Sequence, residues 1–90
     1  VEELANALDD VSLSVRENAA RALGAIKDAR AVPALAAKLS DPAAGIGELA
    51  AEALGNIPDA AATSALAATL SGPDASVRLA ALRALARNAD

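Results

Sequence analysis

The chain has 90 residues, which suits one small domain; 54% of them are hydrophobic and none is aromatic. Its formal net charge of −4 argues against a nucleic-acid ligand, because contacts to phosphates need clustered lysine and arginine. The absence of Cys excludes disulfides and thiolate metal sites, and without His or Tyr any acid–base catalysis would fall to carboxylates or lysine.

Apolar spacing and the turn residues between apolar stretches predict six helices. They cover about residues 1–8, 14–26, 30–39, 46–56, 60–70 and 75–88. Ser14 and Glu17 fit a capping box at the start of the second helix, and Asp28 is predicted to cap the third. The buried stripe of the second helix is predicted to be Val15, Ala19, Ala22, Leu23 and Ile26. Alanine, the best helix former, supports the all-α interpretation.

A period of 31 residues runs through the chain. It relates Leu8, Leu39 and Leu70; Leu23, Leu54 and Leu85; and Val15, Ile46 and Val77. Residues 31 apart are called counterparts below. A fixed period of this size is typical of stacked supersecondary units. We therefore predict a single domain over residues 1–90 made of three helix pairs, at about 1–27, 28–58 and 59–90.

The repeated unit resembles the HEAT repeat, and most closely its short subclass named after phycobilisome lyase. The residues that carry the resemblance are Val15, Arg16, Ala19, Ala20, Ala22, Leu23, Gly24, Ile26, Asp28, residues 30–35, Leu39, Asp41 and Pro42. The resemblance covers essentially the whole chain. It implies a right-handed α-α superhelix of about three HEAT-like helix pairs. Because the first unit lacks the start of its first helix, we expect a fragment of a longer array.

The resemblance also implies a polar ladder between neighbouring repeats, made by an Asp in the inter-helix turn and an Arg six residues later. The ladder residues here would be Asp10, Arg16, Asp41 and Arg78. The middle unit has Gly47 in place of Arg, and the last has Gly72 in place of Asp. The ladder is therefore expected to be incomplete, with Asp41 reaching an arginine of an adjacent repeat. Gly45 and Gly47 are interpreted as a frayed or delayed helix start.

In this family the second helix of each pair lines the concave side, which implies a binding surface. The candidate binding residues are Glu17, Arg21, Glu48, Leu49, Glu52, Leu79, Arg83 and Arg87. Leu49 and Leu79 lie off the core face by periodicity, so they could anchor a ligand or pack against neighbouring helices. A protein or peptide segment is the natural ligand for such a groove. Without aromatic anchors, its affinity is expected to be weak.

The sequence thus predicts a protein-interaction or scaffold module without catalytic residues, cofactor or metal. Two alternatives stay open: part of a phycobilin lyase-type subunit that needs a partner, and a structural fragment or designed repeat protein without a natural ligand. No stretch approaches the roughly 20 apolar residues of a membrane span, and no targeting segment is visible. We therefore expect a cytoplasmic protein that does not bind membranes. Apolar ends without a polar capping repeat leave end-to-end self-association open.

Overall fold

The computed structural model describes residues 1–43 and 45–88, which form helices joined by short turns. The α-helices are α1 (Glu2–Ala7), α2 (Leu13–Ile26), α3 (Val32–Lys38), α4 (Ile46–Gly55), α5 (Ala60–Thr69) and α6 (Ala75–Asn88), and a 3-10 turn at Ala29–Ala31 precedes α3. Within these described residues there are six α-helices and no β-strand. The predicted all-α fold is confirmed, and the predicted helix ends are correct to within two residues.

The helices pack as three successive pairs: α1 with α2, α3 with α4, and α5 with α6. We call these pairs the first, second and third repeats. The second helices also pack on one another, with α4 lying between α2 and α6. The largest fully buried side chains are Leu8, Leu23, Leu35, Ile46, Leu54, Ile57 and Leu66. The core therefore runs along the whole stack, and the division of the chain at about residues 27 and 58 stays a prediction.

The helix ends are fixed by carboxylates and by two residues with positive φ. Asp28 Oδ1 accepts the N–H of Arg30 at 2.9 Å, which confirms the predicted cap. The capping box at Ser14 and Glu17 is wrong, because α2 begins one residue earlier, at Leu13, and places Ser14 inside the first turn. At the start of α4, Gly45 has φ of 87°, a backbone conformation that glycine adopts without steric cost. This glycine explains the delayed start of α4 after the turn.

The predicted buried stripe of α2 is only partly correct. Ala19 and Leu23 are buried, whereas Val15 is 39% exposed and Ile26 is 50% exposed. Their counterparts Ile46 and Ile57 are almost fully buried. Val15 and Ile26 occupy the repeat positions of Ile46 and Ile57 but are less covered within the described residues.

Candidate functional site

The exposed side of α2, α4 and α6, which we call the second-helix face, carries two shallow grooves. The α2–α4 groove has a volume of about 130 Å³ and is lined by Ala20, Arg21, Gly24, Leu49, Glu52, Ala53 and Asn56. The α4–α6 groove has a volume of about 260 Å³ and is lined by Glu48, Glu52, Ser76, Leu79, Ala80, Arg83 and Arg87. Seven of the eight candidate binding residues thus line a groove. The eighth, Glu17, lies on α2 outside both linings.

Small residues set the spacing of the second helices and so the depth of these grooves. A Cβ atom added at Gly24 would lie 2.9 Å from the Ala53 Cα atom, which belongs to the next repeat. One added at Gly55 would lie 2.6 Å from Ala84 Cβ and 2.8 Å from Arg87 Nη2. The two carbon–carbon distances, 2.9 Å and 2.6 Å, are shorter than the usual carbon contacts of about 3.5–4.0 Å. Only a glycine lets neighbouring helices approach this closely at these two positions.

Opposite charges face each other across the α4–α6 groove. Glu48 and Glu52 project from α4, Arg83 and Arg87 project from α6, and all four are exposed. Among the residues that the structure describes, no salt bridge joins these glutamates to these arginines. The groove therefore presents an acidic wall and a basic wall whose charges are not neutralised by direct pairing within it.

The two leucines on this face have different environments. Leu49 is half-buried and packs against the core cluster, so its main contacts are structural. Leu79 lines the α4–α6 groove and is 47% exposed. Leu49 is therefore partly covered by the core although it lines the α2–α4 groove, while Leu79 is the more exposed of the two leucines.

A family model described as HEAT repeats matches residues 1–86. The chain belongs to the HEAT repeat family. A comparison with curated proteins found no match. The stacked helix pairs and the closely packed second helices are therefore those of a HEAT array.

In this HEAT array the predicted ladder residues make their contacts within their own repeats. Arg16 Nη1 donates to the carbonyl oxygen of Asp10 at 2.8 Å, and Arg78 Nη1 donates to that of Gly72 at 2.7 Å. Asp41 Oδ1 accepts the N–H of Ala43 at 2.8 Å. In the described part of the chain, no hydrogen bond or salt bridge joins Asp41 to either arginine. A ladder between repeats stays a prediction.

An ion pair that the repeat pattern did not predict connects two repeats. Lys38 Nζ, at the end of α3, lies 2.5 Å from Asp9 Oδ1 of the first repeat and 3.6 Å from Asp41 Oδ2. The hydrogen bond that Lys38 donates to Asp9 raises the pKa of the Lys38 ammonium, although partial burial acts in the opposite direction. The pair was hidden because the counterparts of Lys38 are Ala7 and Thr69, so no repeated charge marks the position.

A larger groove of about 530 Å³ lies on the other side of the stack, between α3, α5 and the turns that follow them. It is lined by Ala36, Leu39, Ser40, Asp41, Ala65, Ala68, Thr69, Gly72, Pro73, Asp74 and Val77. One lining residue is Thr69, the counterpart of Lys38. The Lys38 side chain reaches Asp9 of the first repeat, whereas the shorter Thr69 side chain leaves the groove uncovered at this position. The lining is mostly apolar, and its two carboxylates accept backbone N–H groups at the starts of their turns.

The described residues contain no group of three or more potential metal ligands. Within the same residues, no helix combines the length and the apolar character needed to cross a membrane.

Proposed function

We propose that the chain is a protein-interaction module that binds an extended protein or peptide segment along the second-helix face. The proposal is carried by one observation: an acidic wall and a basic wall face each other across the α4–α6 groove with the exposed Leu79 between them. A segment with acidic residues toward Arg83 and Arg87, an apolar residue at Leu79 and basic residues toward Glu48 and Glu52 would be complementary to it. HEAT repeats generally mediate protein–protein contacts, which supports the same conclusion.

The first experiment measures binding of fluorescently labelled synthetic peptides by anisotropy. One peptide places acidic residues, leucine and lysine in the proposed order, and a second has the same composition in scrambled order. We expect weak binding that favours the ordered peptide and falls with added salt, because the charges are exposed. Equal binding of both peptides, or binding of neither, would contradict the proposed complementarity.

The second experiment reverses the charge of the face with the double variant Arg21→Glu/Arg83→Glu. The loss of two attractive contacts should weaken binding by about tenfold or more at low salt, with helicity unchanged. The matched control is Lys27→Glu/Arg30→Glu, which makes the same change in net charge at exposed positions outside both grooves. If both double variants weaken binding equally, net charge and not this face controls recognition.

A second candidate function rests on the resemblance to the phycobilisome-lyase subclass. We propose as the alternative that the chain is part of a phycobilin lyase-type subunit and contributes no catalytic group of its own. Together with a companion subunit it would then transfer or remove a bilin, and absence of turnover in that mixture would exclude the alternative. A structural fragment or designed array would instead bind no specific partner in a pull-down.

The partner that we propose is a protein and not a nucleic acid, and we place the interaction in the cytoplasm. The support is the net charge of −4 and the alternation of acidic and basic side chains along the second-helix face, which gives no continuous basic stripe. Retardation of DNA or RNA by the chain at moderate salt would contradict the first part. The position of a fluorescent fusion in cells tests the second.

A further inference from the structure

The groove between α3, α5 and the turns that follow them, which we call the first-helix groove, lies between two repeats of the described chain. One wall belongs to the second repeat and the other to the third. The second helices α4 and α6 pack more closely than the first helices α3 and α5 do, so the junction opens on this side. Its volume of about 530 Å³ falls within the range of about 300–1,000 Å³ that is typical of small-molecule sites.

The equivalent junction between the first and second repeats is crossed by a side chain of the protein itself. Lys38 Nζ extends from the end of α3 to Asp9 Oδ1 at 2.5 Å. The counterparts of these two residues are Thr69 and Ser40, and both line the first-helix groove. Two short hydroxyl side chains cannot form this bridge. The alkylammonium chain that spans one junction therefore has no equivalent at the next.

The missing bridge coincides with apolar surface that is accessible in the groove. Leu8, at the first junction, is 1% exposed. Its counterpart Leu39 is half-buried and lines the first-helix groove, beside the half-buried Ala36 and Ala65. A ligand that covers this surface gains the free energy of removing it from water.

The charge that lines the first-helix groove is negative. Among its described lining residues, the charged side chains are Asp41 and Asp74, with no lysine or arginine. Each accepts a backbone N–H through Oδ1 at 2.8 Å, which holds the carboxylate at the turn end of the groove. Asp41 Oδ2 lies 3.6 Å from Lys38 Nζ, whose nearer partner is Asp9. No salt bridge of the described residues includes Asp74.

The uncharged polar groups of the groove also favour a ligand that donates hydrogen bonds. The Thr69 hydroxyl donates to the Ala65 carbonyl oxygen at 2.9 Å, so its oxygen offers lone pairs to a ligand. The nearest arginine in sequence, Arg78, donates to the Gly72 carbonyl oxygen at 2.7 Å and is not a lining residue. An anion would meet two carboxylates here, whereas a cation with several N–H groups would meet acceptors.

From these observations we propose that the first-helix groove binds a small organic cation in which a primary ammonium group is attached to an apolar body. The apolar body covers Leu39 between α3 and α5, and the ammonium group donates toward Asp41 and Asp74 at the turn end. The ligand thus supplies to this junction the kind of group that Lys38 supplies to the preceding one. The site is separate from the second-helix face and goes beyond the peptide recognition proposed for that face.

A titration of the isotope-labelled full chain with hexylammonium, followed by amide chemical shifts in NMR spectra, tests the proposal. We expect shifts concentrated at groove residues such as Leu39, Thr69 and Gly72, with a dissociation constant of about 1 mM for so small a ligand. Butylammonium should bind about fourfold more weakly for each methylene removed. Hexan-1-ol, which has the same chain without the charge, should bind about fivefold more weakly at low salt. Shifts that are absent or spread over the whole chain, or equal binding of the alcohol, would overturn the proposal.

The double variant Ser40→Asp/Thr69→Lys transfers the Asp9–Lys38 pair to this junction. The new lysine should occupy the groove and weaken hexylammonium binding about tenfold or more. The matched control is Thr63→Lys/Ser64→Asp, which makes the same two exchanges at exposed positions of α5 outside all three grooves and should leave binding unchanged. Far-UV circular dichroism checks the helicity of both variants. Unchanged binding to the transferred pair would show that the ligand does not lie in the first-helix groove.

A single substitution tests the charge of the site without filling it. Asp74→Asn keeps an oxygen that caps α6 but removes the negative charge, so hexylammonium binding should weaken about two- to fivefold at low salt. Asp59→Asn is the matched control, because Asp59 caps α5 in the same way and lies outside the groove. Equal weakening by the two substitutions would mean that net charge controls binding, and the assignment would fail. None of these results depends on whether a peptide binds the second-helix face.

Discussion

Replacing Gly55 by alanine should destabilise the chain, although alanine is the better helix former. In an unobstructed helix the change would gain about 1 kcal/mol. Here the new Cβ would lie 2.6 Å from Ala84 Cβ, at least about 1 Å inside normal carbon contact. Overpacking of this kind costs about 1–3 kcal/mol, because α4 and α6 must separate. The cost offsets or exceeds the propensity gain, and we expect a net loss of up to about 2 kcal/mol.

Urea denaturation followed by far-UV circular dichroism measures this change, since the chain has no aromatic residue to serve as a fluorescence probe. A loss of 1 kcal/mol would lower the melting temperature of a domain of this size by about 4–8 °C. Ala86→Gly is the matched control, because Ala86 occupies the same repeat position with its side chain exposed. That variant reports the intrinsic difference between alanine and glycine at this position.

A double-mutant cycle that combines Gly55→Ala with Ala84→Gly tests whether the loss of stability is steric. Ala84→Gly removes the methyl group that the new Cβ would strike, so Gly55→Ala should cost less in that background than in the wild type. Stabilisation of the wild-type chain by Gly55→Ala of about 1 kcal/mol, as propensity alone would give, would refute the reasoning. So would additive effects of the two substitutions.

Two further predictions concern the turn between α2 and α3. Lys27 ends α2 with φ of 61°, so Lys27→Gly should raise the free energy of unfolding by about 1 kcal/mol, measured by urea denaturation. The hydrogen bond from the Arg30 side chain, together with the Arg30 backbone N–H, lowers the pKa of Asp28 from 3.8 to about 2. A lowered pKa stabilises the fold above about pH 4, and that contribution disappears as the pH falls through 2. The difference in melting temperature between the wild type and Asp28→Asn should therefore be constant above pH 4 and shrink below it; a difference that does not change down to pH 2 would contradict the assignment.

The helices and the core could be predicted from the sequence because both depend on local apolar spacing that recurs three times. Leu23 and Leu54 are fully buried as the period required. The predicted burial of Val15 and Ile26 is wrong, because the burial of these two side chains depends on a neighbouring repeat and not on their own helix. A repeat pattern identifies which surface contacts the preceding unit, but it carries no information on whether that unit is present.

The candidate site was predicted from equivalence between repeats, and equivalent positions occupy similar places in the structure. Arg21, Glu52 and Arg83 occupy one repeat position and all line grooves on the second-helix face. The bridge from Lys38 to Asp9 could not be found in the same way, since it occurs once and depends on the distance between two turns. A contact that occurs in only one repeat can be found only from the three-dimensional structure.

The departures from the family pattern are explained by the atoms that surround them. Gly72 lacks the carboxylate of its counterpart Asp10, yet Arg78 binds the turn as Arg16 does, because both arginines donate to a main-chain carbonyl oxygen that any residue provides. Gly47 has a steric cause, since a Cβ there would lie 2.7 Å from Val77 Cγ2 and 2.8 Å from the Leu39 carbonyl oxygen. Each glycine therefore has a local structural role. Gly72 supplies the carbonyl oxygen to which Arg78 donates. Gly47 permits a contact with Val77 of the next repeat that an arginine would block.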